Sequence, residues 1–214
     1  MKSNTHCLVK ITLLIAATLL AVPALAWDHP PNQVTIEAGV SFPYGQLGAD
    51  FERTRLGLGA TEGLEIGFSY HMNLSETVTI APTFLFLDYG NYKGFNEEVD
   101  EFFIQSSSYR YLVEFRVTRP GSFKTPRLFL GVGAGLFRNR VTGFYQDYVK
   151  AVDKSVNTFG VSLRAGVQII GLEFSVVYNI NRFNTWLLFE SDYRERYNWD
   201  TINLRAGWLI PFGD

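Results

Sequence analysis

Apolar and polar residues alternate along this chain with a period of two, in separate short stretches. In VTIEAGVSF, Val34, Ile36, Ala38, Val40 and Phe42 share one face of a strand, opposite Thr35, Glu37, Gly39 and Ser41. LEIGFSYHM sets Leu64, Ile66, Phe68, Tyr70 and Met72 against Glu65, Gly67, Ser69 and His71. TVTIAPTFLFL is less regular, and its Pro82 is expected to cost a ladder bond or mark a bulge. The pattern returns in SYRYLVEFRV, RLFLGVGAGLF, FGVSLRAGVQI, LEFSVVYNI and TINLRAGWLIPF. These eight stretches predict eight strands, each with one apolar face.

Long and short connections alternate between them. Long ones follow the first, third, fifth and seventh stretches, and short ones such as NLSE and the link at Gly171 follow the others. In an up-and-down meander this places all long loops at one end, and the short turns with both termini at the other. An even strand count, dyad alternation and that loop asymmetry are the pattern of a transmembrane barrel.

Composition decides which face is inside. A soluble barrel would expose its polar strand face to water, where lysine should be common. Here Lys93, Lys124, Lys150 and Lys154 fall in the predicted connections, and the polar face carries glycine, serine, asparagine, glutamate and arginine. The registers turn Glu37, Glu65, Glu114 and Glu173 inward with Arg110, Arg116, Arg164 and Arg205, so four charges of each sign are expected to neutralise a plugged lumen. An eight-stranded barrel is just wide enough for side chains to fill it, which suits the 19 glycines.

The amino terminus predicts the compartment. Lys2 and Lys10 precede the apolar run ITLLIAATLLAVP, and Ala24-Leu25-Ala26 has the small-x-small form of a cleavage site, so residues 1–26 are expected to be a cleaved export signal and 27–214 the barrel domain. Cys7 leaves with that signal, excluding disulfide and thiol chemistry from the remainder. Lys+Arg then falls from 19 to 17 against 21 Asp+Glu, so the formal charge moves from −2 to −4. That balance, without a basic block, argues against a nucleic-acid partner.

Two stretches carry a family resemblance. GVSFPYGQLGADFERT, with Gly39, Ser41, Pro43 and Gly45, resembles the loop entry of small outer-membrane β-barrels of the OmpA/OmpX type, within the porin-like group. LRAGWLIPF resembles the terminal strand read by the barrel-assembly machinery, with Gly207 central and Trp208, Ile210 and Phe212 along its apolar face, although Gly213 and Asp214 follow. The resemblance covers the whole of 27–214. It implies an all-β fold, an eight-stranded antiparallel up-and-down transmembrane β-barrel, in a Gram-negative outer membrane. It implies contact with outer-membrane lipid and lipopolysaccharide as well.

Candidate chemistry is sparse. GVGAG at 131–135 is strand-borne lumen packing, since a phosphate-cradling loop would need a helix after it. His29 and His71 are the only histidines after residue 26, and Ser69 beside His71 lies at the wrong end for chemistry at an outer rim. Glu97, Glu98, Asp100 and Glu101 form an acidic loop read as solvated. Trp186, Leu187, Leu188 and Phe189 extend a strand to the lipid interface or form a contact for a surface partner. The expectation is therefore a monomeric, non-enzymatic barrel without metal or cofactor. A lipid A-modifying enzyme and a soluble lipocalin-like carrier are the alternatives.

Overall fold

The computed structural model describes residues 32–45, 47–48, 60–90, 92–96, 99–121, 125–145, 150–184 and 196–212. Every regular element among them is a β-strand: β1 (Asn32–Pro43), β2 (Gly63–Asn73), β3 (Val78–Tyr89), β4 (Tyr92–Asn96), β5 (Val99–Thr118), β6 (Arg127–Tyr145), β7 (Lys150–Ile169), β8 (Leu172–Ile180), β9 (Arg182–Asn184), β10 (Arg196–Asn198) and β11 (Thr201–Phe212). Strands β1, β2, β3, β5, β6, β7, β8 and β11 each pair antiparallel with their neighbours, and the β11–β1 and β3–β5 pairings close the ring. Closure removes the open edges that a flat sheet would present.

Alternation fixes the registers as the sequence predicts. Along β2 the burial pattern strictly alternates from Gly63 to Phe68, with Leu64, Ile66 and Phe68 exposed and Glu65 and Gly67 buried. A slip by one residue would turn every such side chain to the wrong face. Pro82 makes no bulge. The β3–β5 register runs through it unbroken, and on the other side the β2–β3 pairing lapses between Ser69↔Thr83 and Met72↔Ile80 and resumes in the same register. The proline, lacking an N–H, thus costs a local gap in one ladder only.

The short turns lie where expected. The tightest is Ile170-Gly171, both with positive φ (48° and 78°), the condition for the mirror-image turn whose twist suits a two-residue hairpin. Glycine accepts this freely, whereas a β-branched isoleucine there is strained.

The long connections differ from their prediction as plain loops. The third is a continuation of β6 and β7 as a hairpin, β6 running to Tyr145 and β7 starting at Lys150. The second holds β4 paired to an extended β5, and the fourth holds β9 paired to β10. Lys93, Lys150 and Lys154 therefore belong to strands, in these extensions. The backbone pairing persists there although the sequence alternation does not.

Candidate functional site: the barrel lumen

All eight of the predicted lumen charges are buried inside the barrel, with exposures from 0% to 4%. They form one connected network. Arg110 Nη1 lies 3.8 Å from Glu65 Oε2, and Glu65 also meets Arg205 Nε. Arg205 Nη1 lies 3.5 Å from Glu37 Oε2. Glu37 Oε1 accepts from Arg164 Nη1 at 3.0 Å and lies 3.9 Å from Arg116 Nη2. Arg116 and Arg164 then share Glu114 and Glu173, with Arg116 Nη1 to Glu173 Oε2 at 2.8 Å and Arg164 Nη1 to Glu114 Oε2 at 3.7 Å. Glu37, touching three guanidinium groups and accepting from Ser69 Oγ at 2.9 Å, is the hub.

The backbone makes room for these side chains by a simple rule: nearly every charge faces a glycine across the ladder. Glu37 lies between Gly67 and Gly207. Glu65 and Arg205 flank Gly39; Arg116 and Arg164 flank Gly131; Glu114 faces Gly133, and Glu173 faces Gly207. A β-carbon at Gly131 would stand 2.7 Å from Glu114 Oε1, and one at Gly207 2.7 Å from Thr35 Cγ2. Gly131 and Gly133 of GVGAG therefore serve the network as space. Gly207, predicted as part of an assembly signal, has a packing duty as well.

Neutral groups complete the lower layer. Ser175 Oγ accepts from Arg164 Nε at 3.0 Å, and Gln168 bridges Arg127 (2.8 Å) to Glu173 (3.0 Å). Arg116 and Arg164 sit over the Phe129 ring at 5.1 and 5.7 Å. Below them, at the turn end, lies a polar cavity of about 180 Å³ bordered by Gln33, His71, Thr79, Arg116 and Arg127. Its His71 is hydrogen-bonded to Thr35 Oγ1 at 3.0 Å, while Ser69 bonds Glu37 and Thr83. The structure thus gives Ser69 and His71 different partners and does not join them as a nucleophile and base.

The loop end of the lumen departs from the prediction of a polar interior. Among the described residues it carries no charge network but an apolar cluster, in which Leu85, Leu87 and Tyr89 of β3, Leu112 of β5, Phe137 and Val141 of β6 and Val156 of β7 pack with Phe183, Tyr197 and Trp199, beside a neutral hydrogen-bonded chain from Ser108 through Asn139 and Thr158 to Asn181. Phe183 stacks on Tyr197 at 5.4 Å, and Trp199 contacts both within 6.1 Å. Leu47 and Ala60 of the first loop enter the same cluster, held by Leu47 N–H to Asn198 O at 3.3 Å and Ala60 N–H to Leu47 O at 2.9 Å. Asp200 organises the rim. Its Oδ1 accepts the Asn181 N–H at 2.9 Å, and its Oδ2 accepts from Tyr178 Oη and Arg182 Nη2, both at 3.1 Å. The carboxylate thereby replaces a ladder bond where β8 gives way to β9, and the register continues unchanged beyond it.

Arg110 joins the two layers. It bonds Tyr89 Oη at 3.1 Å and Thr201 Oγ1 at 3.2 Å, and lies over Phe137 at 5.1 Å. A signal for the apolar layer exists in Phe84-Leu85-Phe86-Leu87, where alternation gives way to a continuous apolar run, the mark of a strand covered on both faces.

The outer wall is the converse of the lumen. Leu130 and Phe159 are each 67% exposed, and Leu128, Leu136, Val113, Ile66 and Tyr111 exceed half. The apolar band runs from Leu128 to Leu136 on β6, from Tyr109 to Val117 on β5 and from Phe159 to Ile169 on β7. Exposed Arg138, Asn157 and Arg119 bound it. Bands of 9 to 11 residues match the roughly 9–11 that a tilted strand needs to cross a bilayer. Trp208 and Ile210 lie half-buried on this outer wall. Phe212 ends β11 opposite Asn32. Trp186, Leu187, Leu188 and Phe189 lie outside the described residues, as do Glu97, Glu98 and the side chains of Asp100 and Glu101.

Among solved structures, Neisserial surface protein A matches with a TM-score of 0.53 at 14% identity, over 85% of this chain and 97% of that one. The chain has the fold of the small outer-membrane β-barrels. Also similar, at TM-scores of 0.44 and 0.47, are the N-terminal β-barrel domain of Pseudomonas aeruginosa OprF (14% identity, 85% of this chain, all of that one) and Ail, the attachment invasion locus protein of Yersinia pestis (12% identity, 84% and 99%). No family model matches the sequence, and no curated protein matches it.

Proposed function

We propose that this chain is an integral outer-membrane protein whose barrel is a closed scaffold presenting its outer hairpins, and neither an open pore nor an enzyme. The observation that carries this is the radial order of the wall. Exposed leucine, phenylalanine and valine surround a lumen filled by balanced ion pairs at one end and an aromatic-aliphatic cluster at the other. Water outside such a wall would meet apolar area on every strand, which the hydrophobic effect forbids for a soluble monomer. Export with loss of residues 1–26 puts the termini and short turns in the periplasm and the hairpins at the cell surface. Outer-membrane phospholipid and lipopolysaccharide then contact the belt, the barrel-assembly machinery reads β11, and Trp186, Leu187, Leu188 and Phe189 are the candidate contact for a surface partner.

Fractionation tests the reading. The protein should enter the outer-membrane fraction, require detergent for extraction and migrate differently on gels before and after boiling. Extraction without detergent would point to a soluble carrier instead. Mass spectrometry of lipid A with and without the gene addresses the enzymatic alternative; an unchanged acyl pattern is expected, and a changed one overturns the non-enzymatic reading.

A further inference from the structure

The lipid-facing wall is not uniform. Across β5, β6, β7, β8 and β11 the registers align Val117, Leu130, Ala165, Val176 and Leu204 in one row, each paired with the next. Ala165 is the only small member. Leucine on β6 and valine on β8 stand on either side of it, two strand spacings apart, so the wall is hollowed over β7. One step toward the turn end, Leu128 and Phe174 continue the two sides with Val167 on the floor between them. The resulting groove measures about 830 Å³. Arg119 borders it at the turn end, exposed, just beyond the apolar band and tied to Leu128 by its backbone N–H at 2.8 Å.

We infer that this groove seats one acyl chain of an inner-leaflet phospholipid, with the headgroup phosphate against Arg119. The proposal rests on the outer-membrane reading above, which puts the turn end at the periplasmic face. An apolar trough between aliphatic walls suits a hydrocarbon chain, and a guanidinium at its headgroup end suits a phosphate by charge and by hydrogen-bond geometry. The wall across β2, β3 and the loop-end part of β5 has a different surface. There Phe68, Phe84, Phe86, Tyr109 and Tyr111 fill the surface with rings 4.9 to 6.4 Å apart.

Native mass spectrometry of the full chain, extracted from outer membranes in mild detergent and then supplied with phosphatidylglycerol or phosphatidylethanolamine, tests it. Wild type should retain one phospholipid of either kind. A165F, which fills the trough from the lipid side, should lower retention about tenfold, and R119E should weaken it for both lipids. A134F, placing the same ring on the wall away from the groove, should leave retention unchanged. Heat-modifiable migration first establishes that each variant is folded, and a wild type that does not enter the outer-membrane fraction would count against the membrane reading rather than the groove. Equal retention by A165F and wild type overturns the proposal. So does a wild-type protein carrying no phospholipid, or a second copy of the chain at this face.

Discussion

The two halves of the lumen solve one packing problem with opposite chemistry. At the turn end, guanidinium and carboxylate groups are held within a ring of glycines, and every contact depends on direction: Arg164 alone engages Glu37, Glu114, Glu173 and Ser175. At the loop end, Leu85, Leu87, Phe137 and Trp199 fill most of the space by shape, with Leu47 reaching in from a loop and a neutral chain of Ser108, Asn139, Thr158 and Asn181 beside them. The lesson is that a closed interior need not be polar throughout because its outer wall is apolar. The charged layer is unforgiving of a missing partner, since an orphaned ion in a low-dielectric site keeps its desolvation cost. The apolar layer loses only contact area and the volume of the cavity left behind.

This contrast can be broken by substitution. The largest effect is expected for Glu37→Ala, which leaves three arginines without their hub; the cost should approach the upper end of the roughly 3–5 kcal/mol seen when one member of a buried pair is removed. Urea unfolding of the detergent-refolded protein, followed by gel migration, would measure it. Leu87→Ala in the apolar layer should cost less, about 3 kcal/mol. A cost equal to that of Glu37→Ala would erase the distinction between the layers. A paired replacement sharpens it further. Glu65→Leu alone should destabilise strongly, whereas Glu65→Leu with Arg110→Met should recover part of the loss, because it also removes the buried cation whose carboxylate partner among the described residues is Glu65 and leaves Arg205 paired with Glu37. Smallest is Ile170→Asn at the tight turn, away from both layers. Relief of the positive-φ strain should stabilise the barrel by about 1 kcal/mol.

Much of this was legible in the sequence because period two is a strong constraint. Among the described residues the predicted strand faces are the observed ones except at Val40, which is buried, and Glu37, Glu65, Glu114, Glu173, Arg110, Arg116, Arg164 and Arg205 could be placed in the lumen by counting alone. Connectivity within the network could not. Which arginine meets which glutamate depends on strand stagger around the barrel, which brings Arg164 to Glu37 across 127 residues of sequence. Apart from the run Phe84-Leu85-Phe86-Leu87, the apolar layer was hidden for a different reason. Leu112, Phe137 and Val156 sit at inward positions whose periodicity distinguishes faces without distinguishing heights. The hairpin extensions are held by backbone pairing that leaves no trace in the alternation. Asp200, Asn181 and Trp199 organise the rim through a break in regular pairing, which no periodic pattern records.

The central claim is that the lumen is closed at both levels. Planar-bilayer recording of the refolded, heat-modifiable wild-type protein tests it most directly. The account predicts no steady conductance above the bare bilayer under an applied voltage; a large, persistent single-channel current carried by wild type would contradict it.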